Sequence, residues 1–359
     1  MRVTSRLSVA VLLAVAGIAF GQSGRGDRQG VGQTPPSLEE LPVIGIANAT
    51  FKVTDLDNAR DYYQKILGFA EAFDLKDHAG NVTSAYFKVN DDQYIEVIPT
   101  LARGEVNRQE RIVFQSTDLV KLHALYESRG LNPSKIQKGP DGNPIFRVVS
   151  PEGNKLDFLQ YSEDSEQAKA RGRFLSPDRI STHLWHVGVM TKDAATSGPF
   201  YRERLGFTNL RFGTRGEYLE TPARDANTET KPPLADTPAT HVQYESEQWG
   251  AVNHIGIEVA DMRATRDLLQ KRGGFDDLRV RAHVGNNRHW LMFLFDPAGT
   301  RTEIVETAVQ QDLPPMTVMA PGAPAPPILP RTSGVLPWPP VRREADSSDG
   351  HKKIAGYSA

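Results

Sequence analysis

Four times along this chain a strand-like run ends near an Asp, a short amphipathic stretch follows, and a Gly closes it. The segments are Phe51–Asp55 to Leu67-Gly68-Phe69, Val113–Asp118 to Arg129-Gly130, Val187–Asp193 to Leu205-Gly206-Phe207, and Ile257–Asp261 to Gly273-Gly274-Phe275. From Asp to Gly the separations are 13, 12, 13 and 13 (68−55, 130−118, 206−193, 274−261). A fixed internal period means a repeated supersecondary unit, and it constrains the fold more than any composition count. Two units also share a closing phrase, Ser150-Pro-Glu-Gly-Asn-Lys-Leu-Asp157 and Asp296-Pro-Ala-Gly-Thr-Arg-Thr-Glu303.

Each unit opens with alternating apolar residues, as in His186-Val-Gly-Val-Met190 and His254-Ile-Gly-Ile-Glu-Val259, the period of a strand. The Asp that follows is placed to cap a helix by accepting a first-turn backbone N–H. Leu56, Ala59, Tyr63 and Ile66/Leu67 then share one helical face, and Gly68 suits the left-handed position that stops the helix. Further strand-like runs follow, such as Ser84–Val89 and Tyr94–Ile98. Each unit therefore predicts β-α-β-β-β. A lone unit would leave a sheet face uncovered, so units must pair. The expected fold is α+β, with four βαβββ modules paired into two half-open barrel domains over 43–162 and 183–308. A charge-rich connection, 163–182, joins them.

The 359 residues suit two domains of about 130 residues each. A net charge of −2 with acids and bases intermixed offers no basic face for nucleic acid, so a small-molecule substrate is the expected partner. With no Cys there is no thiolate chemistry, no disulfide framework and no lipidation cysteine. Arg2 and Arg6 precede an uncharged apolar run, Leu7 to Phe20, and Ala19 and Gly21 stand at −3 and −1 of a cut before Gln22. This predicts a cleaved signal peptide over 1–21, hence a secreted or periplasmic protein with no membrane span after its removal. Residues 22–42 are expected to be a linker. Residues 309–359, with ten prolines between Pro314 and Pro340, are expected to form an extended tail.

The helix ends Tyr63-Gln-Lys-Ile-Leu-Gly-Phe69 and Tyr201-Arg-Glu-Arg-Leu-Gly-Phe207, with the Asp296–Glu303 hairpin, make residues 43–308 resemble the vicinal oxygen chelate superfamily. That superfamily includes glyoxalase I, bleomycin-resistance proteins and extradiol dioxygenases. The resemblance implies metal ligands on the first and last strands of the units, the first-strand ligand falling seven residues before the capping Asp. Applied here, the offset selects Asn48, Arg111, His186 and His254, and the last strands supply Glu96, Asp157, Gln243 and Glu303.

The two halves differ at these positions. In the second, His186, His254 and Glu303 give two imidazoles and a carboxylate, the facial set of non-haem Fe(II) chemistry with open positions for substrate and O₂. The implied cofactor is a divalent metal, Fe²⁺ or Mn²⁺ by preference, with Zn²⁺ and Ni²⁺ as alternatives. In the first half Arg111 cannot ligate a metal, so Glu96 and Asp157 are expected to pair with it; a carboxylate-binding pocket around Arg111 is the other reading.

His289, in phase with Leu291, Phe293 and Phe295, and His241, in phase with Gln243, are the catalytic acid–base candidates. The orientation of His283 is left open. The chain departs from the extradiol pattern, which has Tyr at Phe293 and an acid–base His near Val284. It also departs from glyoxalases, which usually have Glu where Gln243 stands. The leading reading is a metal-dependent dioxygenase acting on a small vicinal-oxygen substrate. A lyase, isomerase or epimerase and a non-catalytic binding protein of the bleomycin-resistance type are the alternatives.

Overall fold

The computed structural model describes residues 41–190, 194–213, 216–221, 227–231, 253–274, 282–285 and 289–309. The expected signal peptide, nearly all of the linker, residues 310–359 of the tail, His241 and Gln243 lie outside them. Among the described residues no helix is long and apolar enough to cross a membrane.

The fold is α+β with two eight-stranded sheets. The first contains β1 (Val43–Lys52), β2 (Glu71–Lys76), β3 (Val82–Lys88), β4 (Tyr94–Ile98), β5 (Gln109–Ser116), β6 (Gln137–Lys138), β7 (Pro144–Val149) and β8 (Lys155–Leu159), in the order β2-β3-β4-β1-β5-β8-β7-β6. The second contains β9 (Leu184–Met190), β10 (Thr208–Gly213), β11 (Gly216–Glu220), β12 (Asn227–Lys231), β13 (His254–Val259), β14 (His283–Val284), β15 (His289–Phe295) and β16 (Arg301–Val309), in the order β10-β11-β12-β9-β13-β16-β15-β14. At the centre of each sheet the first strands of two units, β1/β5 and β9/β13, run antiparallel. Each is flanked by the parallel last strand of its own unit. Parallel neighbours need a crossover, which the helix after each opening strand begins.

These helices start where the sequence places them. Asp55, Asp118 and Asp261 each accept a backbone N–H three residues on, from Asn58 at 2.8 Å, Lys121 at 2.9 Å and Ala264 at 2.9 Å. Units one and three run from α1 (Leu56–Arg60) and α3 (Ala194–Pro199) into π-helical turns, Asp61–Ile66 and Phe200–Arg204. Units two and four keep regular helices, α2 (Leu119–Ser128) and α4 (Met262–Lys271). The left-handed closing glycine of unit four is Gly273 (φ 74°), not Gly274. The Asp-to-Gly spacing is then 13 in units one and three and 12 in units two and four (273−261). A π turn holds one extra residue, which accounts for the difference.

The helical faces pack Tyr62, Tyr63, Ile66, Leu122, Tyr126, Tyr201, Met262 and Leu269 into one apolar cluster that includes residues of both sheets. Each such buried side chain contributes roughly 1.5–3 kcal/mol of transfer free energy. Polar bonds tie the halves together. The Tyr62 hydroxyl donates to Thr302 Oγ1 (2.9 Å), Tyr63 to Asp296 Oδ2 (3.3 Å) and Arg108 Nε to the Ala298 carbonyl (2.7 Å). All three first-half side chains grip the Asp296–Glu303 hairpin. Burial pushes the Asp296 carboxyl up to about 6, although the Thr300 and Ala298 amides, Arg108 and Tyr63 oppose the shift.

Candidate metal centre

The site begins with cross-strand register. On β9 and β13, His186 pairs with Gly256 and His254 with Gly188. Gly256 also pairs with Glu303 on β16, and Glu303 with Phe293 on β15. One row across the sheet therefore holds His186, Gly256, Glu303 and Phe293. The glycine gap lets the His186 ring lean across β13 towards Glu303. A Cβ on Gly256 would fall 2.1 Å from His186 Cε1, a distance no packed structure tolerates.

All three predicted ligands are buried, with His186 1%, His254 0% and Glu303 4% exposed. His186 Nε2 and His254 Nε2 are 3.0 Å apart, His254 Nε2 and Glu303 Oε2 3.3 Å, and His186 Nε2 and Glu303 Oε1 4.0 Å. All the prospective ligand atoms lie within 4.8 Å of one another. Atoms bound to one ion at about 2.0–2.2 Å stand roughly 3–4 Å apart, so the set fits a divalent metal. Burial alone would raise the Glu303 pKa. The hydrogen bond with His254 and the charges of Arg301, His186 and His254 outweigh it, holding the carboxylate well below its ordinary range.

Sequence reasoning did not single out Arg301. Its Nη2 lies 3.2 Å from Glu303 Oε2 and 2.9 Å from His254 Nε2, and its guanidinium is 4.5 Å from the Phe293 ring centroid. Being two residues before Glu303 on one strand, it shares that residue's face. The importance of Gly256 was also missed, although a signal was present. Both ligand strands carry His-x-Gly, as His186-Val-Gly188 and His254-Ile-Gly256.

The outer histidines occupy different places. His289 Nδ1 lies 2.6 Å from the Glu306 carbonyl, and its ring is 5.8 Å from Trp185, which is 5.2 Å from His186. His289 thus stands one aromatic ring away from the triad. The exposed His283 pairs with Leu291 and packs edge-on at 5.2 Å against Phe293, the residue opposite Glu303. The strand paired with β9 places Glu229 opposite Gly188, the register that Glu96 holds opposite Thr50 in the first sheet.

That first sheet keeps the frame and changes the chemistry. Asn48, Arg111 and Asp157 take the register positions of His186, His254 and Glu303. Glu96 accepts from Asn48 Nδ2 (3.0 Å), from the Thr50 hydroxyl and from Arg111 Nη2 (2.8 and 2.9 Å). Asp157 binds Arg147 through both oxygens at 2.6 and 2.8 Å. Burial pulls the Arg111 pKa down, but the charges of Glu96, Tyr86 and Asp157 prevail and raise it.

The Glyoxalase/Bleomycin resistance protein/Dioxygenase superfamily pattern matches residues 183–304, the half that carries the triad. Solved structures of similar fold include an extradiol ring-cleaving dioxygenase from B. fuscum (17% identity, 79% of this chain and 77% of that one, TM-score 0.55). Another is the 2,3-dioxygenase LapB from Pseudomonas sp. KL28 (16% identity, 77% of this chain and 97% of that one, TM-score 0.51). A third is 2,2',3-trihydroxybiphenyl 1,2-dioxygenase from Sphingomonas wittichii (17% identity, 74% and 90%, TM-score 0.51). A search of curated protein sequences finds no match. Residues 183–304, which carry the buried His-His-Glu set, belong to the glyoxalase/bleomycin resistance/dioxygenase superfamily.

Proposed function

We propose that His186, His254 and Glu303 hold a divalent metal, Fe²⁺ or Mn²⁺ by preference, and that the protein is a dioxygenase-type enzyme for a small substrate with adjacent oxygen atoms. The observation carrying this reading is the convergence of three buried ligands, two imidazoles and a carboxylate, on one point. Such an ion supplies Lewis acidity, lowering the pKa of a bound hydroxyl, and, where it is Fe²⁺ or Mn²⁺, a route to O₂. Arg301 adds a fixed positive charge beside Glu303, suited to hold an ionised substrate oxygen. His283 and His289 are the described imidazoles able to carry a proton to or from the site, and His241 remains a third candidate. The cup for the substrate is the concave side of a half-open barrel over 183–308, paired with a second over 43–162. The leader at 1–21 would direct export.

A lyase or isomerase reading is favoured by one observation, the register of Glu229. Glu96 holds the equivalent backbone register in the first sheet.

Metal analysis of the purified full chain, followed by oxygen uptake over catechols, hydroxyquinols and α-hydroxycarbonyls with and without chelator, tests both readings. One equivalent of metal with chelator-sensitive O₂ consumption is expected. Turnover without O₂ uptake would transfer preference to the isomerase. Ligand binding that survives metal removal, with no turnover, would overturn both in favour of a binding module.

A further inference from the structure

The first sheet carries a chamber of its own at the place corresponding to the metal centre. Its volume is about 270 Å³, and its wall includes Arg111, Arg147 and Lys138 on the polar side and Val113, Ile145 and Leu159 on the apolar side. We propose that this cavity binds a small organic carboxylate, with the two guanidinium groups holding the acid and the apolar wall its hydrocarbon part.

The case rests on which groups around the cavity still have hydrogen-bonding capacity. Its two lining carboxylates are engaged. Asp141 accepts from Asn143 N (3.2 Å), Asn143 Nδ2 (2.9 Å) and Gln167 Nε2 (2.9 Å). Asp157 takes the fork of Arg147 formed by Nε and Nη2, which leaves the Nη1 amine outside that pair. Arg111 reaches Glu96 through Nη2, while its Nε makes no hydrogen bond and lies 3.6 Å from Asp157 Oδ2. Lys138 pairs with Asp164 at the exposed rim, an attachment of little strength. Each of the three lining cations already faces a carboxylate, and the donor capacity left over is that of Arg147 Nη1 and of the buried Arg111 Nε. A planar guanidinium matches a carboxylate better than any neutral acceptor. The volume falls just below the usual range of small-molecule pockets, about 300–1,000 Å³. It suits an acid the size of benzoate and is too small for a nucleotide.

Isothermal titration of the full-length chain with benzoate and its neutral isostere benzamide tests the proposal. The titrations are run on metal-loaded and on chelator-treated protein. Benzoate should bind in both forms and benzamide about tenfold or more weaker, the cost of losing a charged hydrogen bond. Arg147→Gln, at a half-exposed side chain, should weaken benzoate by about tenfold, and His254→Ala should leave its affinity unchanged. A crystal soaked in benzoate should show the carboxylate against Arg111, a result that does not depend on any variant folding. Equal affinity for both probes, no binding to the wild-type chain, loss of binding with the metal, or benzoate located only at the second sheet would each overturn it. Metal analysis of the same protein reports on His186, His254 and Glu303 separately, so failure of benzoate binding leaves that assignment standing.

Discussion

The two sheets share one strand order, and the same register positions are occupied by opposite chemistry. In the first, an arginine stands where the second has His254, and the buried carboxylates beside it are neutralised from within the protein. In the second, two imidazoles and a carboxylate converge with Arg301 alongside. The frame therefore does not determine the chemistry. A buried carboxylate at these positions needs a cation, and it comes from side chains alone in one sheet and, on our reading, from Arg301 together with a metal in the other.

The largest expected contrast comes from cutting the same register position in each sheet. His254→Ala should remove stoichiometric metal while the first sheet stays folded. Arg111→Ala should keep the metal but lower unfolding stability by about 3 kcal/mol, the low end for a buried ion pair broken on one side, since Asn48 and Thr50 still serve Glu96. Metal analysis and urea denaturation of both variants measure the crossing. If Arg111→Ala loses metal, the two sheets are not chemically independent.

A second contrast lies in the hairpins. Ser150 and Asp296 stand at the same turn, and each accepts a backbone N–H from four residues on, at 3.1 and 2.8 Å. Only Asp296 is a buried acid with a raised pKa. Because its folded value, about 6, exceeds its ordinary 3.8, the folded state binds more protons between those values. Its contribution to stability is therefore best at low pH and declines as pH rises through 6. The cumulative change is roughly 3 kcal/mol. Comparing denaturation of wild type and Asp296→Ser from pH 4 to 7 should show this component absent in the variant. Equal pH profiles would mean that the carboxyl titrates alike in both states.

The smallest expected effect is a Gly256→Ala substitution. It should push the His186 ring off its seat and weaken metal by about 10–100-fold, the usual range for disturbing a ligand's support. A competition titration against a chelator reads the change. Unchanged affinity would show that His186 has another way to reach the ion.

The repeat was legible because its signals are local. An Asp caps the helix through its own first turn, and a left-handed Gly ends it within a dozen residues. The adjacent Gly273 and Gly274 obscured the fourth closing position, because chain spacing alone does not tell which of them turns left-handed. The alternation of π-helical and regular units was therefore hidden in a spacing difference of one. His186, His254 and Glu303 were legible through their fixed offsets within strands. Gly256 was not, because its role appears only when β9, β13 and β16 are placed side by side. Glu229 was missed because no period governs the chain between β11 and the strand paired with β9. His283 lies on a strand of only two residues, too short for alternation to orient it.

Tyr62, Tyr63 and Arg108 reach out of the first half to hold the hairpin leading to Glu303. Repetition suggests interchangeable copies, yet this grip makes the copies unequal heirs. The half without the imidazole ligands has become the mould for the half that has them. Recombining the second half onto another partner would carry the ligands across but leave Asp296 and Thr302 without their anchors. Descent of such a chain should therefore conserve the pair as one inheritance, even where the first copy has given up its own ligands.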